Sequence, residues 1–110
     1  MFAPETEKLV EQLIQAEYIN ACEKFGEKYN SLHEGYAILL EEVEEVKSEV
    51  EKLSANLDVL WRKIKSNDTD IKYLSHHMCS NACNVILESV QVGAVLQKIK
   101  NTFGEVKKNV

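Results

Sequence analysis

Residues 32–65 read LHEGYAILLEEVEEVKSEVEKLSANLDVLWRKIK, a run that no proline interrupts. Its apolar residues return in alternating steps of four and three, which is the spacing of a heptad seam on an α-helix. The seam consists of Leu32, Tyr36, Leu39, Val43, Val46, Val50, Leu53, Leu57, Leu60 and Ile64. This pattern predicts one continuous helix of roughly 35 residues, about 50 Å long at 1.5 Å per residue. Ser31 and Glu34 form a predicted capping box at its start.

A helical pattern also lies on each side of this long segment. Pro4 suits a first helical turn and Gly26 suits a stop, so we expect a first helix over residues 5–25. Asp68 or Thr69 is the expected N-cap of a third helix over residues 69–103. Its predicted seam is Ile71, Leu74, Met78, Ala82, Val85, Ser89, Val92, Leu96, Ile99 and Phe103. The remaining residues 104–110 are short, polar and basic, and we expect them to fray.

The composition favours an all-α fold. Only 4 glycines and 1 proline punctuate 110 residues, of which 45% are hydrophobic. Such a chain has too few turn residues for a β-sandwich and enough apolar residues for one domain over residues 1–110. The second and third helices are predicted to form a long antiparallel hairpin with the first helix laid against it.

This hairpin has only one shorter companion helix, which is too little to cover its apolar residues. The uncovered set is expected to be Leu53, Leu57, Leu60, Trp61, Ile71 and Leu74. We therefore expect a homodimer or homotetramer that completes a bundle of four or more helices.

Charge and cysteine content narrow the functional classes. The formal net charge of −5 disfavours a dedicated nucleic-acid binder, which would cluster Lys and Arg. No apolar run reaches the roughly 18 residues of a membrane helix, and the first residues lack the features of a signal peptide. The 3 cysteines are an odd number and are expected to be reduced thiols. A cytoplasmic protein without a membrane segment is the expectation.

The densest chemical signal is the acidic run at residues 41–45, EEVEE. Glu42 and Glu45 are three residues apart and share one flank of the long helix. On the third helix Glu88 and Gln91 have the same spacing and stand in the equivalent place beside their seam. If the two helices pack by their seams, these four side chains converge. Oxygen ligands of this kind suit a hard divalent cation, Mg²⁺ or Mn²⁺.

Other interpretations of these residues remain open. Acidic runs on amphipathic helices are usually solvated faces, and Glu34 is explained by the capping box alone. His76, Cys79 and Cys83 share a helical face and suggest zinc, but no fourth ligand lies nearby. Small buried thiols are the more ordinary interpretation of these cysteines.

Two segments carry a family resemblance: HEGYAILLEEVEE at residues 33–45 and ESVQVGAVLQ at residues 88–97. They resemble the MazG-like nucleotide pyrophosphohydrolases of the all-α NTP pyrophosphatase superfamily, particularly the small phage and prophage members. That family carries an EExxE motif and an ExxD motif whose carboxylates bind Mg²⁺. The resemblance implies metal ligands at Glu42, Glu45, Glu88 and Gln91, and catalytic roles in orienting water for Glu41 and Glu45.

The implied reaction is hydrolysis of a nucleoside triphosphate between its α and β phosphates, which yields a monophosphate and pyrophosphate. Substrate contacts are expected from Glu34, Tyr36 and Lys47. The chain departs from the family pattern in having Gln91 in place of Asp and a longer stretch, residues 53–86, between the motifs. The alternative is a non-catalytic protein, either a helical oligomerisation protein or a nucleotide-binding derivative of the family.

Overall fold

The computed structural model describes residues 1–104, which form three packed α-helices. These are α1 (Pro4–Phe25), α2 (Leu32–Lys65) and α3 (Lys72–Phe103). The predicted all-α class is confirmed, and α2 is one continuous helix of 34 residues. No helix in the described part of the chain is both long enough and apolar enough to cross a membrane. The expectation for residues 105–110 lies outside the described residues.

The helix α3 is central and α1 and α2 pack on different sides of it. Gly35 lies against Ile99, and the Asn56 amide donates to Asn81 at 2.7 Å, so α2 and α3 run antiparallel. Over residues 1–104, α1 packs against α3 and makes no packing contact with α2. The predicted hairpin is present, and the first helix lies against one arm of it.

The starts and stops of α1 and α2 follow the sequence signals. Pro4 occupies the first turn of α1, and Gly26 ends this helix at φ 88°, where a side chain would be strained. The Ser31 hydroxyl caps α2 by accepting from the Glu34 N–H at 3.1 Å. The Glu34 carboxylate accepts from the Asn30 amide at 3.0 Å. Ser31 therefore fulfils its half of the capping box, whereas the Glu34 side chain binds Asn30.

The predicted start of α3 is wrong by about one turn. The helix begins at Lys72, and its N-cap residue, Ile71, makes no side-chain capping bond. Asp68 instead accepts from the Asp70 N–H and from Lys63 Nζ, each at 3.0 Å. These bonds hold the pKa of Asp68 below its ordinary value. Asp68 thus stabilises the turn, because a short acidic side chain that bonds its own backbone competes with helix initiation.

The predicted seam of α2 is half right. The expected residues Leu39, Val46, Leu53 and Leu60 are partly covered, whereas Tyr36, Val50, Leu57 and Ile64 are exposed. The expected residue Val43 is partly covered as well. Covered positions one residue before an expected seam position are Gly35, Glu42, Glu49, Asn56 and Lys63. The helix is therefore rotated so that polar side chains enter the seam and an apolar column faces outward.

The seam of α3 is rotated in the same way. Its covered positions are Leu74, Met78, Asn81, Val85, Glu88, Val92, Val95, Ile99 and Thr102, while the expected Ile71, Ala82, Ser89, Leu96 and Phe103 are exposed. Two features favour this register over the purely apolar one. Asn56 and Asn81 satisfy each other, and Gly35 permits close approach, because a Cβ there would lie 3.1 Å from Ile99 Cγ1.

Close contact with α3 also positions α1. A Cβ at Gly93 would lie 2.7 Å from Ile14 Cδ1, so only glycine leaves room for this helix pair. Nearer the end of α1, the Asn101 amide donates to the Tyr18 hydroxyl at 2.9 Å. The last turns of α1 therefore lie beside the end of α3, the stretch that faces the start of α2 at Gly35.

A single copy of the chain builds little core. The buried apolar residues among those described are Tyr29, Leu74 and Ala94. The described chain extends 69 × 31 × 27 Å with a radius of gyration of 18.7 Å. A compact domain of this length has a radius of about 13 Å. Much of the apolar surface of α2 therefore remains in contact with solvent.

Candidate metal centre

Three carboxylates from the two arms of the hairpin converge at one point. One oxygen each from Glu42, Glu45 and Glu88 lies within 4.8 Å of the other two. Glu42 and Glu45 are neighbours because residues three apart share a helix face. Glu88 joins them because the antiparallel packing brings this part of α3 opposite residues 42–49. The structure thus brings together three of the four side chains expected as ligands.

The electrostatics of this acidic triad disfavour three negative charges without a counterion. Burial raises the pKa of Glu42, and the neighbouring Glu45 and Glu88 carboxylates raise it further. A hydrogen bond with Glu45, followed by burial, raises the pKa of Glu88. Glu42 Oε2 is buried and has no hydrogen-bond partner within residues 1–104. A buried carboxylate oxygen without a donor is costly, and a bound cation would offset that cost.

The donor set matches a hard cation. Every ligand atom is a carboxylate oxygen, which Mg²⁺ and Mn²⁺ prefer, and the amide of Gln91 lines the same cavity as Glu42. In the described part of the chain, the acidic triad is the only group of three His, Cys, Asp or Glu side chains close enough to share an ion. His76, Cys79 and Cys83 do not form such a group, so the structure gives the zinc interpretation no support.

Of the four other predicted site residues, two lie near Glu42 and two lie away from it. Glu34 lines a cavity next to Glu42, and Glu41 is close enough for its charge to raise the pKa of Glu42. Tyr36 is 64% exposed and lies outside that cavity. Lys47 is exposed and pairs with Glu44 at 3.7 Å. The geometry therefore places Glu34 and Glu41 near Glu42 of the acidic triad, and Tyr36 and Lys47 away from it.

Glu49 is a further acidic residue of this region that was not expected as a ligand. Its side chain is 15% exposed, and its Oε1 accepts from Lys52 Nζ at 2.9 Å. Its Oε2 is buried without a hydrogen-bond partner in the described chain, and its charge raises the pKa of Glu88. The signal was present in the sequence, because Glu49 follows Glu42 by seven residues on the same flank.

A cavity of about 450 Å³ adjoins the acidic triad at Glu42. Two stripes at helical spacing form its long walls, Glu34, Ile38 and Glu42 on α2 and Gln91, Ala94 and Lys98 on α3. Phe25 and Tyr29, from the end of α1 and the loop after it, also line the cavity. The cavity is therefore elongated and mostly apolar, with polar side chains contributed by α2, by α3 and by the loop after α1.

Lys98 and Tyr29 are the cavity residues that sequence reasoning missed. Lys98 is 5% exposed, and its Nζ lies 4.3 Å from the centroid of the Tyr29 ring. The Tyr29 N–H donates to Thr102 Oγ1 at 3.3 Å, and burial raises the pKa of the Tyr29 phenol. The spacing of Lys98, seven residues after Gln91, was a usable signal. Tyr29 had none, because it lies in an irregular loop.

Comparison with protein-family models, with curated proteins and with solved structures gives no match to this chain. A proposed function therefore rests on the geometry of the acidic triad and on the motif resemblance.

The raised pKa values give the ion-free protein a characteristic pH dependence. Because Glu42 and Glu88 bind protons more tightly when folded than when unfolded, their contribution to stability is full below the ordinary carboxyl pKa. It is lost as the pH rises through their raised values. We expect the melting temperature in EDTA to fall as the pH rises above the ordinary carboxyl range, and to fall less in Glu42→Gln.

The control for this titration is Glu44→Gln, which removes an exposed carboxylate from the same helix. Thermal denaturation followed by circular dichroism gives the slope of melting temperature against pH for the wild type and for each variant. Parallel slopes for the wild type and Glu42→Gln would show that the acidic triad does not titrate as described.

Proposed function

We propose that the chain is a Mg²⁺-dependent nucleoside triphosphate pyrophosphohydrolase, with Mn²⁺ as an alternative ion. The observation that carries this proposal is the convergence of Glu42, Glu45 and Glu88 from the two motifs that resemble the MazG-like family. A solvated acidic face would not require the carboxylates of two helices to meet, nor would it leave a buried oxygen of Glu42 unpartnered.

In this proposal Glu42, Glu45 and Glu88 hold the ion, and the Gln91 amide supplies a neutral oxygen. When bound, the ion neutralises phosphate charge and favours departure of pyrophosphate. Glu41 or Glu45 orients a water molecule and accepts its proton as the water oxygen bonds to the α-phosphorus. The bond from the α-phosphorus to the bridging oxygen breaks, which yields a nucleoside monophosphate and pyrophosphate. Gln91 orients ligands but accepts no proton, since its amide is neutral.

The same proposal includes self-assembly into a homodimer or homotetramer. Three observations support it: the small core of one copy, the absence of α1–α2 packing over residues 1–104, and the outward apolar column of α2. That column consists of Tyr36, Val50, Leu57 and Ile64, with Trp61 beside it. A second copy is the occupant proposed, because two such columns carry the same repeat and can pack by it in a bundle.

A nucleotide-binding protein without catalysis is the competing proposal. Gln91 is the observation that favours it, because Asp in its place would add a negative ligand and a proton acceptor. A purely structural helical scaffold is the remaining alternative, and it requires no ion at the acidic triad.

The decisive experiment is incubation of the purified protein with Mg²⁺ and a panel of standard and modified nucleoside triphosphates. We expect equimolar monophosphate and pyrophosphate, which distinguishes this reaction from release of inorganic phosphate. Glu42→Gln is expected to lower the rate about 100-fold or more, since even residues that only orient metal ligands contribute 10- to 100-fold. Glu44→Gln, with an exposed side chain on the same helix, is the matched control and should retain the wild-type rate.

Three outcomes separate the alternatives. Pyrophosphate release that survives in Glu42→Gln would contradict the assigned site. An inactive wild type that gains activity in Gln91→Asp would identify a nucleotide-binding derivative. No release from either protein, together with no metal binding, would leave the helical scaffold.

A further inference from the structure

Lys98 is an almost wholly covered lysine that lines the cavity beside the acidic triad. It is 5% exposed, and within residues 1–104 its Nζ forms no ion pair and no hydrogen bond. Within the described residues the ammonium group lies over the face of the Tyr29 ring, 4.3 Å from its centroid. Lys98 lines the cavity beside Glu42, so its ammonium group is accessible from that space while the rest of the side chain is covered. The Tyr29 ring stabilises the cation there. The location of Lys98 is therefore typical of a residue that receives an anion from outside the chain.

The position of Lys98 relative to the metal centre suggests which anion it receives. Gln91 and Lys98 lie on one stripe of α3 and are about 10 Å apart along the helix axis at 1.5 Å per residue. Both line the same cavity, which is continuous from Glu42 to Tyr29. A ligand bound at the acidic triad by one phosphate group can therefore extend along α3 toward Lys98.

The other polar groups of the cavity are compatible with such a ligand. Glu42 belongs to the metal centre, where a bound ion compensates its charge. The Glu34 carboxylate accepts a hydrogen bond from the Asn30 amide and is thus already partnered within the chain. The phenol of Tyr29 stays protonated at neutral pH, because burial raises its pKa. Lys98 is thus the only cationic side chain that lines the cavity among the described residues.

We propose that Lys98 binds the terminal phosphate of the nucleoside triphosphate and thereby selects triphosphates over diphosphates. This inference rests on the proposed function, because an ion held by Glu42, Glu45 and Glu88 would anchor the phosphate chain at the Glu42 end of the cavity. Lys98 is then a specificity-determining residue that contacts the part of the substrate farthest along the phosphate chain. The protein thereby distinguishes triphosphates from diphosphates by the charge of the terminal phosphate, at a site separate from the bond that is cleaved.

The kinetic test compares Lys98→Met with Lys98→Arg and with the control Lys100→Met. Methionine keeps the length of the side chain without the charge and suits a buried site, and Lys100 is an exposed lysine on the same helix. We expect Lys98→Met to raise the KM for triphosphates about 10- to 100-fold, the size of a lost charge-assisted hydrogen bond, with kcat little changed. The KM for diphosphates should stay the same, Lys98→Arg should retain part of the preference, and Lys100→Met should behave as the wild type.

A second measurement separates this inference from the proposed function. Calorimetry with inorganic tripolyphosphate in EDTA measures anion binding at Lys98 in the absence of metal and of catalysis. Electron paramagnetic resonance of Mn²⁺ alone measures ion binding at the acidic triad. Wild-type tripolyphosphate binding that is lost in Lys98→Met supports the inference about Lys98. Normal Mn²⁺ binding and hydrolysis with an unchanged triphosphate preference in Lys98→Met overturn the inference and leave the proposed function standing.

The remaining outcomes are equally informative. Absence of both Mn²⁺ binding and hydrolysis overturns the proposed function. If the wild type also fails to bind tripolyphosphate, the inference about Lys98 is overturned as well. Lys98-dependent tripolyphosphate binding without Mn²⁺ binding identifies an anion site but overturns its assignment to the terminal phosphate of a cleaved substrate. Thermal denaturation of each variant shows that the comparisons are made between folded proteins.

Discussion

Saturating Mg²⁺ or Mn²⁺ is expected to raise the melting temperature of the protein by about 10 °C, and Glu42→Gln is expected to abolish that rise. A ligand present at about 100 times its dissociation constant stabilises the folded state by about 2.7 kcal/mol. In a chain of this size each kcal/mol corresponds to roughly 4 °C. Among the proposed ligands Glu42 is expected to have the largest effect, because it is partly buried and lies beside the other two carboxylates, and its Oε2 has no hydrogen-bond partner within residues 1–104.

The same variant should behave in the opposite way when no ion is present. In EDTA, Glu42→Gln removes one charge from a crowded cluster, so its melting temperature should exceed that of the wild type. Glu44→Gln should retain the full metal-induced rise, because Glu44 is exposed and pairs with Lys47. A rise of equal size in the wild type and in Glu42→Gln would mean that the ion binds elsewhere.

The second large effect is expected in the mass of the protein in solution. Sedimentation equilibrium should give at least twice the chain mass of 12.5 kDa. Leu57 and Ile64 are 55% and 54% exposed in one copy and lie two turns apart on the outward column of α2. Leu57→Lys together with Ile64→Lys should weaken association at least about 100-fold, because burying unpaired charges at an apolar interface costs several kcal/mol.

The matched control is Ala55→Lys, which adds the same charge to an exposed position on a different face of α2. This variant should sediment as the wild type. A wild-type protein that sediments as a 12.5 kDa species at all concentrations would contradict the proposed assembly. Far-UV circular dichroism of the double variant shows whether its helices persist without the partner.

The elements and their order follow from local signals, which is why they were predictable. Pro4, Gly26 and Ser31 mark helix ends through backbone geometry and hydrogen bonds to nearby residues. The spacing of Glu42 and Glu45 places both on one helix face, whatever surrounds them. The equivalent place of Glu88 beside its own seam then predicted the third member of the acidic triad, and the antiparallel hairpin brings it there.

The rotation of the helices was decided by tertiary contacts. A heptad pattern identifies an apolar column, but it does not say whether that column meets a helix of the same chain or faces outward. In this chain Gly35 allows α2 to approach Ile99, and Asn56 bonds to Asn81, so the intramolecular seam carries polar residues. Buried polar side chains are tolerated where they satisfy one another, and a pattern of hydrophobicity does not register such pairs.

The sequence by itself thus determined three helices, a long antiparallel hairpin and a shared flank for its carboxylates, since these depend on neighbours within a few residues. Only the tertiary structure placed Lys98 over Tyr29 and joined both to the cavity beside Glu42. The physical reason is that Tyr29 lies in a loop whose position depends on how α1 packs against α3. That packing depends on residues far apart in the chain, such as Ile14 and Gly93.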